Sequence, residues 1–176
     1  VAYLEAENAY TEAMTRQVQP LAETIYQEML GRIKQADLSV PTLRGGYYYY
    51  SRTEEGQQYS IQCRRAGSMD APEEVLLDQN ELAKGQPYFA VGSWNVSDDG
   101  HLLAYTTDTS GFRNYVLHVK DLRSGQLLPD TAQRVTTVQW AADNRTLFFT
   151  TEEPVTKRTN QFWRHELGGQ DERPER

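Results

Sequence analysis

Cysteine is almost absent from this chain: Cys63 is the only one in 176 residues. An intramolecular disulfide is therefore excluded, as is a cysteine-rich zinc site. A reducing, cytoplasmic compartment fits that usage. Basic residues are outnumbered, with 18 lysines and arginines against 25 aspartates and glutamates, a net charge of −7. Such a surface repels phosphate backbones and argues against nucleic-acid binding. It draws cationic peptides only as a weak, salt-screened bias. No apolar run approaches the ~20 residues of a membrane-spanning helix, so no membrane partner is expected. The sequence also lacks a Gly-x-Ser-x-Gly elbow, the strained turn that exposes a hydrolase serine: none of its eight serines has glycine two residues before it.

What is present suits a folded domain. Apolar residues make up 38% and glycine adds 12 residues, close to the usual globular share. The N-terminal 36 residues read as helix. Leu21, Ile25, Met29 and Ile33 recur every four residues as one apolar stripe, and Leu4, Ala13, Met14 and Val18 suggest a second before Pro20. Proline is tolerated in a first helical turn but not inside a helix, so two helices broken near Gln19-Pro20 are predicted. Ser39-Val40-Pro41 ends this arm, taken as residues 1–38.

From Gly45 the pattern changes to strands. Tyr47 to Tyr50, Gln57 to Arg64 and Val75 to Leu77 form a predicted antiparallel meander. Ser93 to Ser97, Leu102 to Thr107, Tyr115 to Asp121 and Gln126 to Leu128 follow, with turns at Asp98-Asp99-Gly100 and Ser124-Gly125. An internal repeat then emerges. Asn95 to Thr107 aligns with Gln139 to Thr151 at an offset of 44 residues. Repeats of that period built from short strands are the mark of propeller blades. Leu102-Leu103-Ala104-Tyr105 and Leu147-Phe148-Phe149 are continuously apolar, as in strands buried on both faces. The expected fold is mainly β, a partial β-propeller over 39–176. Its blades lie near 45–78, 88–128 and 135–167, the last without its outer strand. A closed ring needs at least ~4 blades, so this one is expected to be incomplete and open to self-association. Both chain ends, including the run from Gly168 to Arg176 with no apolar side chain, read as boundaries inside a longer protein.

Several stretches, taken together and in order, resemble the oligopeptidase B branch of the prolyl oligopeptidase family. They are Tyr3 to Thr11, Glu28 to Lys34, the tyrosine run with Arg52, Gly56, Gln58-Tyr59 and Cys63-Arg64, Glu73 to Ala83, Val96 to Gly100 with Leu103 to Tyr105, and Arg164 to Gly168. Gly111-Phe112-Arg113 departs from the family pattern, in which an acidic residue often follows the glycine. The resemblance implies a seven-bladed propeller capping an α/β-hydrolase domain that holds the serine, aspartate and histidine. It also implies cleavage of short peptides after lysine or arginine, with the propeller admitting substrates by size. The parent's partners would then be short basic peptides and its own C-terminal hydrolase domain. Two alternatives remain: a non-enzymatic propeller that binds proteins, and the propeller of a proline-specific relative.

Within the chain itself no catalytic, cofactor-binding or metal-binding residue is expected. His165-Glu166 lacks the second histidine of a metalloprotease helix. His101 follows a turn and reads as exposed. His118 lies on a strand and reads as structural. Cys63 reads as a small buried apolar residue, and Trp94 and Trp140 as core anchors. Asp98-Asp99-Gly100 lacks the spaced ligands of a calcium loop. Asn95-Val96-Ser97 and Asn144-Arg145-Thr146 match the glycosylation pattern by chance.

Overall fold

The computed structural model describes residues 1–169; residues 170–176, the end of the C-terminal polar run, lie outside the described residues. The chain divides into two units, Val1–Asp37 and Leu38 onward. In the first, helix α1 spans Ala2–Thr15 and helix α2 spans Gln19–Arg32, with a single 3-10 turn at Arg16–Val18 between them. Pro20 occupies the first turn of α2, where its missing N–H costs nothing. The chain leaves α2 at Ile33, whose backbone is extended. Helix α2 therefore ends a few residues earlier than the periodicity predicts. Leu21, Ile25 and Met29 are all exposed.

The second unit is built of three antiparallel sheets, each in sequence order. The first holds β1 (Thr42–Arg44), β2 (Tyr47–Arg52), β3 (Ile61–Ala66) and β4 (Glu73–Asp78), followed by the one-turn helix α3 (Gln79–Leu82). The second holds β5 (Ala90–Val96), β6 (Leu102–Asp108), β7 (Val116–Asp121) and β8 (Leu127–Gln133). The third holds β9 (Val135–Trp140), β10 (Thr146–Glu152) and β11 (Thr159–Glu166). Several strands differ from expectation: β3 begins at Ile61 rather than Gln57, and β5 runs Ala90–Val96 rather than Ser93 to Ser97. β1 starts the first blade at Thr42 rather than Gly45; its three residues are exposed, and Leu43 alone makes no alternating pattern. β8 continues to Gln133 through Pro129. A proline fits there because β8 is an outermost strand, where a ladder N–H can be spared.

The sheets stack face to face. Leu76 and Leu77 of the first pack with Val96, Leu103 and Tyr105 of the second. Ala104, Leu117 and Val119 of the second pack with Val135, Val138, Leu147 and Phe149 of the third. Neighbours along β6 thus serve opposite interfaces, which is why Leu103, Ala104 and Tyr105 are all buried. Phe148 departs from that pattern. It is only half-buried and stacks on Phe162 with ring centroids 5.6 Å apart, on the face of the third sheet turned away from the second.

The 44-residue repeat is the same turn built twice. Asp99 accepts hydrogen bonds from Ser97 Oγ and His101 N. Its counterpart Asp143 accepts from Arg145 N, Thr146 N and Thr146 Oγ1. The next residue is left-handed in both, Gly100 at φ 75° and Asn144 at φ 57°. At Gly100 a Cβ would also lie 3.2 Å from the Tyr47 ring and 3.3 Å from Arg64 Nη1, so the first blade presses on this turn.

Candidate functional site

The chemically versatile side chains are dispersed. His101, half-exposed beside its turn, sits 3.3 Å from Asp99. His118 on β7 is bonded to Thr107 Oγ1 at 2.9 Å and lies against the Tyr105 ring. Burial pushes its pKa below the usual imidazole value, which keeps it neutral near pH 7. His165 on β11 pairs through Nε2 with Asp130 Oδ1 of β8 at 2.7 Å, and the same oxygen accepts the Gly168 N–H. This pair clasps the third sheet to the second. Sequence reasoning missed it because its members are 35 residues apart. The three histidines sit on different elements. Among the described residues no group of three or more His, Cys, Asp or Glu side chains is placed to hold a metal ion.

Cys63 is fully buried and its thiol is pushed up to about 11, first by burial and then by the nearby Glu73 charge. Its surroundings form a polar network on the face of the first sheet turned away from the second. Tyr50 donates to Glu73, Arg52 Nε donates to the same carboxylate, and Arg65 Nε donates to Tyr50 Oη at 2.8 Å. A thiol in that setting is a packing group rather than a nucleophile.

A cleft of about 340 Å³ opens where the first strands of the three sheets, β1, β5 and β9, end. Arg44 Nη2, at the end of β1, donates to Asn95 Oδ1 (2.9 Å) and to Val96 O (2.6 Å). Asn95 in turn donates to Gln139 Oε1, and Trp140 Nε1 donates to Asn95 O at 3.0 Å. Gly45, Tyr47, Tyr49, Ser97, Asp98 and Gly100 complete the lining, and Ser97 Oγ donates to Asp99 while accepting from Leu102 N. The cleft offers Arg44 and the tyrosine faces to polar peptide groups, and no histidine lines it beside Ser97. The sequence carried one signal for it, since Asn95 and Gln139 occupy equivalent repeat positions. With its amide engaged on both sides, Asn95 is a poor glycan acceptor. Asn144 is likewise engaged through its carbonyl by Asp99 N.

Residues 1–174 match the family model described as prolyl oligopeptidase, N-terminal β-propeller domain. A dipeptidyl aminopeptidase BI from Pseudoxanthomonas mexicana is 40% identical, covering 96% of this chain and 25% of its own length. Protease 2 from Moraxella lacunata is 36% identical, covering 99% of this chain and 26% of its own. Among solved structures, oligopeptidase B from Leishmania major superposes with a TM-score of 0.85 at 29% identity, over 98% of this chain and 25% of that one. The chain thus spans about a quarter of the length of the relatives it matches.

Proposed function

The chain belongs to the prolyl oligopeptidase family, as its N-terminal β-propeller domain, and from that premise we propose that it is the non-catalytic portion of a serine oligopeptidase that cleaves short peptides after lysine or arginine. The observation that carries this reading is the continuous match of residues 1–174 to the propeller family within relatives about four times as long. On this reading the serine nucleophile, histidine base and oxyanion hole lie in a hydrolase domain outside the chain. The propeller acts as a gate: it covers that site, excludes folded proteins by size, and lets short peptides in when the domains part. The exposed stripe of Leu21, Ile25 and Met29 on α2 would pack on the hydrolase domain. In isolation the chain would self-associate through the uncovered face of its third sheet.

The name of the 40%-identical relative supports a second reading, in which the parent removes dipeptides from free N-termini. One assay separates the two. The full-length parent is offered an arginyl reporter with a blocked N-terminus and a dipeptidyl reporter with a free one. Turnover of the blocked reporter, abolished by a serine-directed inhibitor, is expected for the first reading. Turnover of the free-amine reporter alone would support the second. The isolated chain should cleave neither, and inhibitor-sensitive turnover by pure chain would refute its non-catalytic role.

A further inference from the structure

The two interfaces between sheets use the same register positions and fill them differently. In the third sheet Phe149 stands opposite Trp163 and Leu147 opposite His165. In the second sheet the corresponding places hold Tyr105 opposite His118 and Leu103 opposite Lys120. Between the third sheet and the second, the larger set fills the space: Trp163 stacks on Phe149, and His165 pairs with Asp130. Between the second sheet and the first, the smaller His118 and the flexible Lys120 stand beside a pocket of about 280 Å³, a volume near the lower end for small-molecule sites. Its walls come from both sheets. Val75 and Leu77 of β4, Leu82 of α3 and Leu127 of β8 supply the apolar part. Val75, Leu82 and Leu127 are exposed there.

Tyr105 lines the same pocket. It is only 3% exposed, yet its hydroxyl has no hydrogen-bond partner among the described residues, and burial alone pushes its pKa above the ordinary phenol value. A buried tyrosine hydroxyl usually finds a partner. Packing does not call for the group either, because the 44-residue repeat puts phenylalanine, Phe149, at the equivalent place. Lys120, diagonal to Tyr105 on β7, donates to Leu76 O at 3.1 Å, which leaves its ammonium with donors to spare. Both donors belong to the second sheet. The charges on the opposite wall are acidic. Asp78 accepts the Asn80 and Glu81 N–H groups through Oδ1 alone, and Glu81 is neutralised by Lys84 at 2.6 Å.

We propose that this pocket binds a free amino acid with an aliphatic side chain, such as leucine, its carboxylate accepting from Tyr105 Oη and Lys120 Nζ, its ammonium donating to Asp78, and its side chain lying against Leu77, Leu82 and Leu127. Charge complementarity selects this occupant. A carboxylate without an ammonium would have to sit beside Asp78, and an amine without a carboxylate would have to sit beside Lys120. A zwitterion with an apolar body matches both walls and gives the Tyr105 hydroxyl the acceptor it lacks. Bound there, it bridges the first and second sheets.

The test uses the full-length parent, treated beforehand with a serine-directed inhibitor so that the catalytic site does not answer. L-Leucine, titrated by saturation-transfer NMR, is expected to bind saturably with a Kd of about 0.1–10 mM, the range for a ligand of that size. 4-Methylpentanoate, which lacks the ammonium, and 3-methylbutylamine, which lacks the carboxylate, should each bind about tenfold more weakly or worse. Tyr105→Phe should weaken leucine binding about tenfold without lowering the urea midpoint, because the hydroxyl holds no partner within the fold. Leu127→Glu, an exposed change on an outer strand, should abolish binding by setting a carboxylate against that of the ligand. No saturable binding of leucine, equal binding of either truncated analogue, or a leucine affinity indifferent to either variant would overturn the proposal. A lower urea midpoint in Tyr105→Phe would also overturn it, since the hydroxyl would then be serving the fold. None of these readouts involves turnover, so their failure and the failure of the proposed peptidase activity are told apart.

Discussion

Cys63 has no exposed surface, and its thiolate is disfavoured by burial first and by Glu73 second. Thiol reagents act on the thiolate, so labelling of the folded protein at pH 8 should be at least ~100-fold slower than after unfolding in urea. Rapid labelling in native buffer would contradict the packing described. Asp143 makes a second prediction. Hydrogen bonds from the Arg145 N–H, then from the Thr146 side chain and N–H, hold its carboxyl at about 2, below the ordinary 3.8. A depressed carboxylate stabilises the fold above its unfolded pKa and loses that effect as pH falls through the folded one. The contribution is therefore full at neutral pH and fades between about 4 and 2. Asp143→Asn should flatten the fall of the urea midpoint across that window relative to wild type, and parallel curves would refute the assignment. The turn was legible in the sequence because aspartate before a left-handed residue is a local signal. The Asp130–His165 clasp was not, because its partners meet only when two sheets stack.

At the scale of the element, the repeat made the strands readable and left their irregularities hidden. Leu102 to Tyr105 gave away β6 because each of its faces meets another sheet. β1 gave nothing away, being three exposed residues after a proline. β5 hides a further feature: its pairing with β6 slips between Val91 and Trp94, and the slip brings Gly92 against the next strand. A Cβ there would lie 2.7 Å from Thr106 Oγ1 and 2.9 Å from the Tyr115 ring. The backbone of Gly92 is not left-handed, so crowding rather than conformation excludes a side chain. Gly92→Ala should cost about 1–3 kcal/mol, the usual penalty for overpacking, read as a lower urea midpoint with unchanged slope. Little or no shift would mean that β5 can move away from Thr106 and Tyr115.

Across the sheet-built unit, the interfaces are fastened by polar ties as well as apolar cores. Arg64 shows how strong such a tie is: buried, it grips Glu74 with two bonds of 2.7 and 2.8 Å, donates to Gly100 O of the next sheet, and lies 4.1 Å from the Tyr47 ring centroid. Equivalent ties join the second sheet to the third through Trp140 and Ser93. The third sheet shows nothing comparable on its other side among the described residues. There Phe162, 46% exposed, stacks on Phe148, as Phe149 stacks on Trp163 on the face covered by the second sheet. We propose that a second copy covers this face when the chain is alone. Its weight-average mass in sedimentation equilibrium should then rise with concentration. Burying one phenylalanine contributes about 2 kcal/mol, so Phe162→Ser should weaken the association roughly thirtyfold. Because Phe162 lies on an outer strand away from the cores, that variant should keep its urea midpoint. Mass independent of concentration in the wild type, or equal association by the variant, would show that the face is stable in water and that the stack needs no further sheet to close it.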